Sequence, residues 1–94
     1  MIVRWKDVIK PQTESGSLVS SIDFLPTFLE LVGIENSLKN IDGKSIVPVF
    51  KDPSAEIHQT LFWNFPHNHN GPPSGAIRSG KWKLIEWYEK SLLG

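Results

Sequence analysis

The side chains with the clearest chemical potential lie close together late in the chain. His67-x-His69 sits in the loop Pro66 to Ser74, which reads PHNHNGPPS. Imidazoles two apart on an extended segment point to opposite sides, which disfavours holding one metal between them. His58 lies nine residues before His67, and the loop itself carries no carboxylate. The pair therefore reads as a solvated polar loop or as a substrate contact. A loop combining histidine, asparagine and flanking aromatics suits sugars. A serine nucleophile of the Gly-x-Ser-x-Gly kind is not indicated, because Ser74-Gly75 and Ser79-Gly80 lack the leading glycine. Asp7, Asp23, Asp42 and Asp52 sit singly, without the clustered oxygens a hard cation requires. Of the four tryptophans, Trp5 and Trp63 fall within strand-like patterns and are expected to pack in a core. Trp82 and Trp87 are an odd number of positions apart, so they should face opposite sides of one strand. Arg78 and Lys83 read as solvated hairpin charges, with an anion contact by Arg78 as the alternative.

Positioning these groups falls to a small number of elements. Met1 to Trp5 reads as a short strand, with adjacent Ile2 and Val3. Ser20 or Ser21 can cap a helix in whose first turn Asp23 complements the dipole. Pro26 must lie near that helix start, and Gly33 supplies its stop. The helix carries two apolar stripes, Ile22/Leu25/Leu29/Val32 and Phe24/Phe28/Leu31, where a surface helix needs one. Asp42-Gly43 marks a turn, and Ser45 to Phe50 suits one helical turn closed by Lys51-Asp52-Pro53. Thr60 to Phe65 reads as a strand. Ala76 to Arg78 and Trp82 to Trp87 flank Ser79-Gly80, a connection compatible with a tight hairpin. The order predicts an α/β fold, in which a strand and helix precede a small antiparallel sheet.

Composition narrows the classes. The 94 residues are 39% hydrophobic and 21% charged, which is globular and argues against disorder. Ten basic and ten acidic residues cancel and are scattered, so no basic stripe favours nucleic acid. No cysteine is present, which removes disulfides, thiolate ligands and a cysteine nucleophile together. No apolar run approaches the roughly 18 residues of a membrane span, and no signal peptide is evident at the N-terminus.

Four stretches, in order, resemble the C-terminal region of the sulfatase family within the alkaline-phosphatase superfamily. They are IVRW-x-x-VIKP (Ile2 to Pro11), SSIDFLPTFLELVGI (Ser20 to Ile34), IDGKSIVPVF (Ile41 to Phe50) and the segment Leu61 to Glu89 with its FPH and AIRSGKWKLI runs. The second is similar to the family's "V-D-x-x-P-T-x-L-x-L-x-G" and the third to "x-D-G-x-S-L-x-P-x-L". The resemblance implies that residues 1–50 are the last strand and helix of a large α/β domain. Residues 51–94 would then belong to a C-terminal antiparallel sheet.

The resemblance also implies a hydrolase of sulfate esters, of sulfated small molecules or glycans, that uses formylglycine and calcium. The missing N-terminal catalytic part of the same chain would be this region's partner, and a periplasmic or secreted location follows by family. The formylglycine precursor lies in "C/S-x-P-x-R", yet here no proline has a cysteine or serine two residues before it. No catalytic or metal residue is therefore carried over, and this stretch is expected to be inactive alone. His67, matching the family histidine of the W-x-x-P-H-Y stretch, is the leading candidate for substrate contact, with His69 second. Asn64 and Asn68 depart from the histidine and tyrosine expected there, and Lys6-Asp7 replaces Pro-Gly. The alternatives are a related phosphate or phosphonate ester hydrolase, and a glycan-binding β module without enzymatic activity.

Overall fold

The computed structural model describes residues 1–89, which form two compact units, Met1–His58 and one beginning at Gln59. The fold is mixed α/β, with helices in the first unit and a three-stranded antiparallel sheet in the second.

The first unit is built around one short helix. A 3-10 turn at Ser21–Asp23 leads into α1, Phe24–Leu31. Pro26 lies in the first turn of α1, where its missing N–H costs nothing. Gly33 ends the helix at φ 73°, and Ile34 N–H returns to Leu29 C=O at 2.9 Å. A second helical turn, α2 at Val47–Lys51, begins with Pro48 near its N-terminus. The core is small and lies mainly around α2: Ile46, Val47 and Ile57 are buried with the polar residues Asp23, Thr27 and His58. Leu18 pairs with His58 in an isolated antiparallel bridge.

Both apolar stripes of α1 remain largely open. Phe24, Leu25, Phe28, Leu31 and Val32 are all exposed, while Pro26 and Thr27 are buried. The strand expected at Met1–Trp5 is not formed, because its backbone finds no partner among the described residues and a strand exists only as part of a ladder. Trp5 C=O instead accepts from Val8 and Ile9 N–H, closing a turn. Nor is Trp5 a core residue. It stays partly exposed, with its ring edge-on to Phe50 at 6.1 Å.

The second unit is a meander of β1 (Thr60–Phe65), β2 (Ser74–Ser79) and β3 (Trp82–Trp87), in that order. Ser79 pairs with Trp82, so the two-residue hairpin loop is Gly80-Lys81 rather than Ser79-Gly80. The shift by one residue follows from Gly80, whose φ of 54° supplies the positive value a type II′ turn needs at its first position. The register sets the faces. Phe62, Ile77 and Leu84 share one side, and Trp63, Ala76 and Ile85 the other. Trp82 and Trp87 lie on opposite sides, as their spacing predicts. Trp63 is exposed rather than packed in a core, because both sheet faces carry apolar residues and β3 is exposed along its whole length.

Candidate functional site

Two groups of polar residues stand out, one in each unit. The first gathers on a single carboxylate. Asp23 ends the 3-10 turn and is completely buried. Its Oδ2 accepts the Ser20 backbone N–H at 2.8 Å, so the turn closes on itself in the manner of a capping box. Its Oδ1 accepts the Lys44 backbone N–H at 2.9 Å and meets His58 Nε2 at 2.7 Å. The His58 nitrogen must carry a proton here, since an ionised carboxylate only accepts.

Thr27, one helical turn on, extends the network. Its hydroxyl donates to Asp23 C=O at 2.5 Å and accepts Ile46 N–H at 3.0 Å. Asp23 and Thr27 thus fasten the loop before α2 to the start of α1 at two points. Gly43 makes this approach feasible. A Cβ at that position would stand 1.9 Å from Ile22 C=O, well inside van der Waals contact.

Burial by itself would push the Asp23 carboxyl up. The Lys44 and Ser20 amides, with His58 as hydrogen-bond donor and charge partner, outweigh burial and hold it below the ordinary aspartate value. A carboxylate whose two oxygens take three donors has little left to offer a ligand. The group is a structural clamp.

The second group is the loop that carries His67 and His69. Both histidines are exposed between β1 and β2, with His67 edge-on to Phe65 at 5.8 Å and 87°. Sequence reasoning placed both on a loop, which is where they are. The structure brings no carboxylate to them: among the described residues no three or more histidine, aspartate or glutamate side chains gather as metal ligands. At the loop's base, Tyr88 O–H donates to Asn64 Oδ1 at 2.9 Å and Tyr88 N–H to Pro73 C=O at 2.9 Å. Asn64, which departs from the expected histidine, is thereby tied to Tyr88. Arg78 Nε turns back to Gly80 C=O at 3.4 Å across the hairpin loop.

The fit of a calcium ion is decided by the acids present. Asp23 is saturated by donors, Asp52 Oδ1 accepts both Ser54 N–H (2.9 Å) and its hydroxyl (2.6 Å), and the exposed Asp7 and Asp42 stand alone. Among the described residues no three or more aspartate, glutamate or histidine side chains gather, so the acids do not provide the six to eight oxygens of a calcium site. A groove of about 290 Å³ in the first unit, bordered by Val3, Ile9, Ser15, Val19 and Phe50, contains no titratable side chain.

Sequence reasoning missed the clamp. It assigned Asp23 only to the helix dipole and treated His58 as a distant neighbour of His67. The pattern Ser20-x-x-Asp23 was the available signal, since it is the spacing of a capping box. Nothing local pointed to His58, 35 residues further on.

The family of the chain is shown by its sequence. Residues 1–92 match the family model described as "N-sulphoglucosamine sulphohydrolase, C-terminal", and the chain belongs to that family of sulfatase C-terminal regions. It is 31% identical over 88 residues, 89% of its length, to an ulvan-active sulfatase of Formosa agariphila. It is 29% identical over 94 residues to an N-acetylglucosamine-6-O-sulfatase of Bacteroides thetaiotaomicron, and 30% over 93 residues to arylsulfatase K of Rattus norvegicus. These matches take in 94% and 90% of the chain. It spans only 18%, 17% and 16% of those three relatives' lengths.

Proposed function

We propose that this chain is the C-terminal part of a sulfuric ester hydrolase acting on sulfated carbohydrate, where it closes the structure and touches substrate without performing the chemistry. The observation that carries the reading is the family match across residues 1–92. Relatives named for ulvan and for N-acetylglucosamine-6-O-sulfate esters support a carbohydrate substrate. Residues 1–50 act as the end of the large α/β domain and residues 51–94 as part of the C-terminal sheet. The partner is then the N-terminal catalytic part, which holds formylglycine and calcium.

Two facts support inactivity of these 94 residues by themselves. No cysteine, and no serine two residues before a proline, is available to become formylglycine. The one buried carboxylate among the described residues is spent on the clamp. The substrate contact is assigned to His67, with His69 beside it. Both present neutral or cationic N–H donors on an exposed loop, a chemistry suited to sugar hydroxyls and sulfate oxygens. The test is an assay of the purified chain with a chromogenic sulfate ester and calcium. The expected result is no turnover above blank, and measurable turnover refutes the assignment.

A further inference from the structure

The chain contains five asparagines, and they differ sharply in what holds them. Asn36 Oδ1 accepts Leu38 N–H at 3.1 Å, and Asn64 Oδ1 accepts the Tyr88 hydroxyl at 2.9 Å within β1. Asn40 is followed by the branched Ile41 and Asn68 by His69. Asn70 is followed by Gly71, and among the described residues neither its side chain nor the backbone of residues 66–72 is held by a hydrogen bond. Asn70 is exposed, in a left-handed conformation at φ 56°, and among the described residues no atom outside residues 70–72 lies within 4 Å of where a Gly71 Cβ would be.

We propose that Asn70 is a site of spontaneous covalent modification, deamidating through a cyclic imide formed with Gly71. The Gly71 backbone nitrogen loses its proton and attacks Asn70 Cγ. The new C–N bond closes a five-membered succinimide, and the Cγ–Nδ2 bond breaks to release ammonia. Water then opens the ring. Attack at the former side-chain carbonyl gives aspartate, and attack at the main-chain carbonyl gives isoaspartate. The net change is amide plus water to carboxylic acid plus ammonia, with no oxidant or reductant.

Two structural conditions control the rate, and only Asn70 meets both. The attacking nitrogen must be unobstructed, which a following glycine allows and a branched or bulky residue hinders. The backbone must be free to swing that nitrogen onto Cγ, which a ladder or a bonded side chain prevents. Asn64 fails both conditions, Asn36 is held, and Asn40 and Asn68 have obstructed neighbours.

The product places a negative charge one residue from His69 and three from His67. If this loop meets a sulfated substrate, a consequence that rests on the proposed function, the added carboxylate opposes that anion. The modification itself does not depend on that reading.

The experiment ages the native 94-residue chain in warm, mildly alkaline buffer and follows it by charge separation. Tryptic mapping then examines the peptide Asp52 to Arg78, which contains Asn64, Asn68 and Asn70. The expected result is an acidic shift of one charge. Aspartate and isoaspartate should appear at Asn70 before any other asparagine reacts, at a rate close to that of the same chain in denaturant. Gly71→Ala, for which there is open space, should abolish the early product. Asn70 surviving while Asn64 or Asn68 converts would overturn the proposal. So would strong protection of Asn70 by the fold, or conversion in Gly71→Ala as fast as in the parent chain.

Discussion

The two units solve the problem of a small chain in opposite ways. The first buries few apolar side chains and is fastened by a polar clamp, in which one carboxylate and one hydroxyl close three separated segments. The second has a regular ladder in perfect register but almost no buried face, with Leu61 the buried hydrophobic residue of the sheet. A buried ion pair is weak evidence of net stability, yet removing one partner of it is costly because the other stays behind uncompensated. Specificity of closure in the first unit therefore concentrates on a few atoms, whereas in the second it is spread along backbone hydrogen bonds. Substitutions that touch side chains should separate the two.

The largest expected effect is that of Asp23→Ala. It leaves two amides and an imidazole buried without an acceptor, and should cost the first unit about 3–5 kcal/mol, read as loss of its unfolding transition by calorimetry. The same carboxylate gives the unit an acid limit. Its folded pKa lies below the unfolded value of 3.8, so its contribution is present above 3.8 and is lost as pH falls through the folded value. Asp23→Asn should flatten that dependence, and an unchanged acid midpoint would contradict the clamp.

Gly43→Ala comes next, at about 1–3 kcal/mol, because backbone rather than a flexible side chain stands 1.9 Å from the new methyl. Denaturant midpoints of the first unit measure it. Thr27→Val should cost roughly 1–2 kcal/mol by stranding the Ile46 N–H, while Thr27→Ser keeps both bonds and stays near the parent. Equal losses in the two variants would point to packing instead of the hydroxyl. The smallest change in stability is predicted for His67→Ala, within about 0.5 kcal/mol, since its ring is exposed on a loop.

Legibility in the sequence followed the range of the interactions. Pro26, Gly33 and the run of β-forming residues in β3 are local devices, and the helix and strand they mark form where the sequence places them. The hairpin was displaced by one residue because Gly80 could occupy either loop position until the ladder fixed the register. Met1–Trp5 had strand composition but no partner among the described residues, and composition cannot supply one. The Asp23–His58 contact spans 35 residues between a capping position and a residue with no periodic neighbours. Only the folded chain reveals it. The position of His67 and His69 on a loop was legible from residue types, since Pro66 and the Asn-Gly-Pro-Pro run after them exclude a strand.

The three histidines provide the most direct measurement. A sulfated monosaccharide is titrated into the chain while the imidazole resonances of His58, His67 and His69 are followed by NMR. Saturable shifts are expected at His67 and smaller ones at His69, with His58 silent because it is locked against Asp23. Shifts confined to His58, or none at His67 at saturating sugar, would contradict the assignment of substrate contact to this loop.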